Sequence, residues 1–430
     1  MTLSALPRRT AIVDGCRTPF AKARRELRHL TPLDLATLVS GALAARNGLG
    51  AGQVGSLHLG SALAYPAHSF LARETAISLG WLDTAASSAE YACATSLRTA
   101  IDVTYEIGVG EHDIGIAGGV ESMSRVPIDV TDGMRHHLVS SLKAGPERRL
   151  EMLGGLAVRD LLPDPPSLTE PYSGVTLAEY AETLAGEWGV SRQDADALTV
   201  RSHQRAAAAR EAGQFDDQLL TLPSADGRET WGDTVIDPTV NLETLGELRP
   251  LYPDRAGVIT TGNASGVTDG AAAVLLASEE GCARNGLRPL AWIRSWAFTS
   301  HSPDVGVLLG PAFSLPRALE RAGLALADVG LLDIHEAFAG QVLANLAALD
   351  SHEFAKSHLD RDAAVGAVDI DRLNVWGGTL ALGHPFGATG ARLLTQLARG
   401  MAERGAQFGA TALCVGGSRG AAVVLELAEG

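Results

Sequence analysis

Residues 374–392 read NVWGGTLALGHPFGATGAR, and this stretch organises the reading of the whole chain. Gly377, Gly378, Gly383, Gly387 and Gly390 permit tight, close-packed backbone. Pro385 fixes the backbone one step after His384 and bars a helix from running through it. From Ala388 the pattern becomes helical, with Ala391, Leu394, Ala398 and Met401 on one face. His384 therefore stands just ahead of a helix N-terminus. There the free N–H groups and the helix dipole favour neutral imidazole over imidazolium. A fixed, neutral imidazole serves as a base or hydrogen-bond donor. A structural glycine loop with an incidental histidine is the competing account.

A second stretch, residues 89–124, has a related pattern. Cys93 precedes a helix carrying Leu97, Ala100, Ile101, Thr104 and Ile107 on one face, and a strand over 113–117 is expected to end at Gly118-Gly119. A cysteine at a helix N-terminus has its thiolate favoured, which suits a nucleophile; a buried apolar cysteine is the alternative. The 384 region echoes this unit: His384, a helix, a strand over 410–414, then Gly416-Gly417. Two similar halves facing each other would bring both reactive ends together.

Elsewhere short strands alternate with amphipathic helices: a strand at 10–14, a helix at 31–46, a strand at 54–59 and a helix at 70–79. After residue 281 come a strand at 290–297, a helix at 311–322 and a strand at 331–334. This is an α/β pattern. Residues 125–173 are rich in Pro, Gly and charge, with PDPPS at 163–167. They are too long for a plain loop and read as a functional insertion. Two helices follow, over 176–188 and 191–213. Arg201, His203, Arg205 and Arg210 on the second form a solvated face or contact anionic phosphates. The small-residue run 260–277 reads as a tight loop, with Asn263 and Ser265 open to a ligand, before a close-packed apolar element.

Length and composition set the outer bounds. The 430 residues carry 46% hydrophobic and 20% charged residues, as a packed enzyme does. A net charge of −15 argues against nucleic acid as a general partner. No apolar run reaches bilayer-spanning length and no signal-peptide stretch opens the chain, so the cytoplasm is expected. The 4 cysteines show no CxxC spacing, so neither a metal site nor a redox pair is expected. Cys16 and Cys282 read as buried hydrophobes. Cys93, Cys414, His335 and His384, each in a glycine-rich or helix-start setting, suit carbon–carbon chemistry on a thioester: one nucleophile, one acid/base thiol and two imidazoles at an oxyanion.

These motifs resemble the thiolase family over nearly the whole chain. RTPFAK at 17–22, AGGVESMS at 117–124, GNASGVTDGAAAVLL at 262–276, GHPFGATGAR at 383–392 and CVGGSRG at 414–420 carry the resemblance. Most thiolases have Asn-Glu-Ala-Phe where this chain has His335-Glu336-Ala337-Phe338. That histidine, LLGPAFSLP at 308–316 and GQVLANLAALDS at 340–351 are similar to the β-subunits of fatty-acid-oxidation trifunctional complexes. Residues 94–96 depart from the commoner pattern, which has a glycine shortly after the cysteine.

The resemblance implies a duplicated α/β/α/β/α five-layered body with an inserted loop domain. Residues 1–124 and 254–281 would form the N-terminal half, 125–253 the loop domain over the coenzyme A site, and 282–430 the C-terminal half. It implies cleavage of 3-ketoacyl-CoA by CoA into acetyl-CoA and a shortened acyl-CoA, in fatty acid β-oxidation. Cys93 would carry the acyl group, His384 would activate it and Cys414 would serve as acid/base. His335 would help hold the enolate oxygen. The backbone N–H groups of Cys93 and Gly416 would form a second oxyanion hole. Ser265 would contact the pantetheine arm, with Arg228 a candidate for CoA binding. Coenzyme A would be a co-substrate, with no tightly bound cofactor and no metal. A homodimer or higher homo-oligomer is implied, with a hydratase/dehydrogenase α-subunit and a membrane surface as further partners of the insertion. A biosynthetic acetyl-CoA acetyltransferase and a catalytically idle assembly or lipid-binding subunit are the alternatives.

Overall fold

A computed structural model describes residues 6–164, 169–230 and 232–428. The last three residues of the PDPPS motif lie outside the described residues. Nine strands hydrogen-bond in continuous order: β1 (Thr10–Arg17), β2 (Ser56–Gly60), β3 (Ala85–Ala89), β4 (Ile114–Glu121), β5 (Thr268–Ser278), β6 (Ala291–Ser300), β7 (Leu331–Ile334), β8 (Phe408–Val415) and β9 (Arg419–Leu427). Their spatial order is β7-β8-β9-β6-β1-β5-β4-β2-β3. The order is nearly palindromic about the β6–β1 junction. β1, β5, β4 and β2 on one side match β6, β9, β8 and β7 on the other. Leu373, bridged to Leu332, stands where β3 stands in the first half. The two half-sheets pair with each other through Ala11↔Trp292 and Ile12↔Ala291.

Alternation along the strands builds the layers. On β5, Ala271, Ala273 and Leu275 pack outward against Leu35, Val39 and Leu43 of α1 (Pro32–Arg46), while Ala72 and Ala76 of α2 (Leu71–Ser78) join the same core. Ala272, Val274 and Leu276 point the other way, into a central core shared with Leu97 and Ile101 of α3 (Thr95–Val109). In the second half, Val423 and Leu425 of β9 face that same central core. Ala422 and Val424 face outward to Leu315 of α8 (Gly310–Ala322) and Val342 of α9 (Ala339–Asp350). The central layer is completed by Leu394, Leu397 and Met401 of α10 (Thr389–Arg404). Five layers follow: helices, half-sheet, the α3/α10 pair, half-sheet, helices. Close approach of α3 and α10 depends on Gly390, where a Cβ would lie 2.6 Å from Leu97 N.

The structure revises several expectations. β4 runs through Gly118-Gly119 to Glu121 rather than ending at the pair. Gly118 and Gly119 are there because neighbouring backbone is too close for a side chain: a Cβ on Gly119 would lie 2.0 Å from Gly387 O. The insertion contains α4 (Asp132–Ser141) and α5 (Pro146–Leu153), on which Leu138, Val139 and Leu150 are exposed, as is Leu142 just beyond α4. Beyond α6 (Leu177–Glu187) lies α7 (Arg192–Glu211), whose Arg201 and Arg205 are neither a free solvated face nor open to an anion. They donate to Ile370 O at 3.1 and 3.2 Å and tie the helix to the 370–373 loop. His203 is buried, its Nδ1 accepting from Asp237 N. Arg17 of the RTPFAK motif is buried and makes a two-pronged bond to Asp233, anchoring β1 to the inserted region. No helix among the described residues is long and apolar enough to cross a membrane.

Candidate active site

α3 and α10 begin alike. Each follows a single 3₁₀ turn, Ala92–Ala94 before α3 and Phe386–Ala388 before α10. The first residue of each turn has positive φ without being glycine: Ala92 at 42° and Phe386 at 24°. Such conformations persist only where the surroundings hold them. The paired turns deliver Cys93 and His384 to one buried point, with Cys93 Sγ 3.3 Å from His384 Nε2. Ser96 Oγ of α3 accepts from Ala391 N of α10 at 2.8 Å and locks the two helix starts together.

Each imidazole is oriented by a threonine. His384 Nδ1 meets Thr389 Oγ1 at 2.8 Å, and His335 Nδ1 meets Thr379 Oγ1 at 2.9 Å. The two rings lie 4.3 Å apart between centroids. Buried Arg392 donates Nη2–H to Thr379 Oγ1, leaving the threonine hydrogen free for His335 Nδ1. In that tautomer His335 carries its proton on Nε2, which is buried and has no hydrogen-bond partner among the described residues. An N–H is thus aimed into the site with nothing to bond to.

Electrostatics set a neutral resting state. Burial, then the Arg392 charge, lowers His384 to about 3. His335 is held well below its ordinary value by burial, His384 and Arg392. Burial pushes the Cys93 thiol up to about 12, with the Glu121 charge adding, against the N–H groups of Gly416 and of Cys93 itself. The expectation of a favoured thiolate is therefore overturned: loss of water outweighs the helix start. The thiol of Cys414 is raised well above its usual value by burial and by neighbouring Cys93. The pair at rest is thiol and imidazole, so nucleophilicity arises as the proton passes to His384 during attack.

The surrounding loops explain the motifs. His384 N donates to Gly266 O at 2.9 Å, and Ser265 N donates to Ala337 O at 2.9 Å, so half-buried Ser265 lies in a loop laced to both histidine segments. Gly417 N donates to Glu170 Oε1 at 2.8 Å, tying the CVGG loop to the insertion. Arg228 is exposed on the turn between two short strands and pairs with Asp226 at 3.7 Å, outside the buried cluster.

Three carboxylate and amide groups went unread in the sequence. Glu336 accepts from Ser202 Oγ at 2.7 Å and from Leu380 N. Asn374 brackets Ile334 with its side-chain amide, which sets the His335 segment. Glu121 accepts from Ala62 N at 2.9 Å, Leu63 N at 3.2 Å, Tyr65 OH at 2.9 Å and Gly387 N at 3.1 Å. The ESMS and HEAF motifs would have pointed to Glu121 and Glu336, as acids inside otherwise small or apolar runs.

Burial still raises Glu121 to about 7 from an ordinary 4.5. A folded-state value above the unfolded one means stability is full below pH 4.5 and falls as pH rises through 7. The contribution lost is about 3 kcal/mol. Glu121→Gln is expected to remove this slope, so that the stability difference between the two proteins changes between pH 5 and pH 8. Urea midpoints at pH 5 and pH 8 check it, and parallel pH curves for the two proteins would remove Glu121 as the titrating group.

Two thiols and two imidazoles buried between duplicated α/β halves, with an unpartnered N–H facing them, define an enzyme built for covalent thiol catalysis at a developing oxyanion. The chain belongs to the thiolase family: residues 10–280 match the thiolase N-terminal domain and 287–427 the thiolase C-terminal domain. It is 42% identical over 421 residues to a 3-ketoacyl-CoA thiolase of Salmonella paratyphi C (strain RKS4594), covering 97% of each chain. It is 40% identical over 422 residues to one of Yersinia pestis (strain Pestoides F), again covering 97% of each. Among solved structures, human mitochondrial 3-ketoacyl-CoA thiolase superposes with a TM-score of 0.84 at 30% identity, covering 99% of this chain and 100% of that one. The human enzyme is also solved in complex with CoA, with a TM-score of 0.83 at 29% identity over the whole of both chains.

Proposed function

We propose that this chain is a 3-ketoacyl-CoA thiolase working through a Cys93 acyl-enzyme in fatty acid β-oxidation. The observation that carries this reading is the 3.3 Å thiol–imidazole contact between Cys93 and His384, beside a second buried thiol. Cys93 attacks the C3 carbonyl of the 3-ketoacyl-CoA while its proton passes to His384 Nε2. The N–H groups of Cys93 and Gly416 stabilise the oxyanion. The C2–C3 bond then breaks, leaving the shortened acyl group on sulfur and an acetyl-CoA enolate. His335 Nε2–H and the protonated His384 stabilise the enolate oxygen, and Cys414 gives its proton to C2. Incoming CoA loses its thiol proton to Cys414, attacks the acyl-enzyme and releases the shortened acyl-CoA. Ser265 contacts the pantetheine arm, and exposed Arg228 is a candidate for CoA binding.

Thiolysis of acetoacetyl-CoA and of a long-chain 3-ketoacyl-CoA tests the reading. Turnover of both supports a degradative enzyme. Turnover of acetoacetyl-CoA alone would favour the biosynthetic acetyltransferase, and neither would leave an idle subunit.

The His335 donor role makes a sharper expectation. His335→Ala should lower kcat/KM by roughly 100- to 1,000-fold, as loss of one oxyanion donor does. His335→Asn supplies an N–H at a similar reach and should retain more activity than Ala. Equal losses in the two variants would assign His335 to packing instead.

The free, buried state of all four cysteines supports a reducing, cytoplasmic compartment. The outer edge of β3, which among the described residues pairs with β2 alone, supports a homodimer joined there. Exposed Leu138, Val139, Leu142, Leu150 and Val158 support a docking role for the insertion, with a hydratase/dehydrogenase chain as its partner. Co-purification with and without residues 134–162 tests that partner, and a membrane-bound fraction instead would assign the patch to a lipid surface.

A further inference from the structure

Cys93, His335 and His384 each present one ligand atom, and these atoms all lie within 4.8 Å of one another in a fully buried cluster. Both Nδ1 atoms are engaged by threonines, so the nitrogens that face Cys93 are the Nε2 atoms. That of His335 is buried and without a partner. We propose that this thiol and two imidazoles form a site for a thiophilic divalent cation of the Zn²⁺ class, which inhibits the enzyme by capping its nucleophile.

The donor set selects the ion. One thiolate and two imidazoles suit Zn²⁺ or Co²⁺, whereas Mg²⁺ and Ca²⁺ require oxygen ligands. Tetrahedral zinc has bonds of about 2.0–2.3 Å, which place neighbouring donors roughly 3.3–3.6 Å apart. Cys93 and His384 already stand at 3.3 Å, so only His335 needs to move inward. Binding breaks the Cys93 S–H bond and forms a sulfur–metal bond; the proton leaves to solvent and no electron moves. The Nε2 of His335 becomes a ligand when its proton sits on Nδ1, where Thr379 Oγ1 accepts it. The free enzyme favours the opposite tautomer, so ion binding and oxyanion donation by His335 exclude each other. The ligands lie far apart in sequence, at 93, 335 and 384, and no spacing motif announces them.

The test reads binding, so it stands apart from the thiolase assignment. Reduced native protein is titrated anaerobically with Co²⁺. The expected result is one equivalent per chain with a thiolate-to-cobalt charge-transfer band, displaced by Zn²⁺ and unmoved by Mg²⁺. Native protein alkylated at Cys93 should lose the band without any change of sequence. Cys93→Ala should lose it as well, and His335→Asn should weaken binding by at least about tenfold. A His136→Ala/His137→Ala variant, lacking the adjacent histidine pair of α4, should bind as the native chain does. A band that survives alkylation, or vanishes in the His136/His137 variant, would overturn the site. So would absence of the band at stoichiometric cobalt. An active thiolase without the band sinks this inference alone, and an inactive chain with the band sinks only the functional reading.

Discussion

Cys93→Ala is expected to fold normally and to turn over nothing measurable. The substitution removes a single sulfur from a site that is already tightly enclosed, a loss of about 1 kcal/mol at most cores. The catalytic loss is of another order. Without the sulfur no acyl-enzyme forms, and the enzyme retains only its oxyanion donors and binding contacts. Removal of a nucleophile from a comparable covalent mechanism costs on the order of 10⁶-fold in kcat. The companion measurement is mass spectrometry of native protein mixed with acyl-CoA, which should gain one acyl group on Cys93. Cys16 and Cys282 should stay unlabelled: both are buried, and burial pushes their thiols up to about 12 and about 11. A label on Cys414, or none at all, would remove Cys93 from the nucleophile's place.

The sequence carried the layers well because their signals are local. The apolar face of residues 389–404 and the capping Thr31 ahead of α1 are readable within a few turns. The echo between the 93 and 384 segments was legible too, and the structure turns it into two matching 3₁₀ turns with positive φ at Ala92 and Phe386. What escaped reading depends on distance in the chain. Gly118-Gly119 looked like a strand end because glycine usually marks one; only the approach of Gly387 O shows why glycine sits mid-strand. Glu121 bonds backbone N–H groups at 62, 63 and 387, three places that no window of sequence joins. The charge state of Cys93 was misread for the same reason. A helix start is visible in sequence, but the enclosure that outweighs it is not. The exposed apolar residues of α4 and α5 belong with these: sequence marked 125–173 as an insertion, not which of its residues stay exposed.

Cys414→Ala should separate two half-reactions that share one pocket. Cys414 is the penultimate residue of β8 and the first of the CVGG motif, and is buried beside Cys93. Its thiol is raised well above the ordinary range by that burial and by Cys93, so it rests protonated and able to deliver a proton to C2. Acylation of Cys93 by acyl-CoA keeps Cys93, His384 and the N–H groups of Cys93 and Gly416, and loses only the proton that Cys414 gives to the departing CoA sulfur, which can leave as a thiolate. That step should survive, and the acyl label should still appear by mass spectrometry. Breaking the carbon–carbon bond needs a proton at C2 and should slow by roughly 100- to 10,000-fold, the range for a positioned acid or base. Exchange of the C2 protons of acetyl-CoA with solvent isolates the step. Native enzyme should catalyse it, and the alanine variant should lose it in proportion to thiolysis. Exchange at the native rate would take Cys414 out of the proton path.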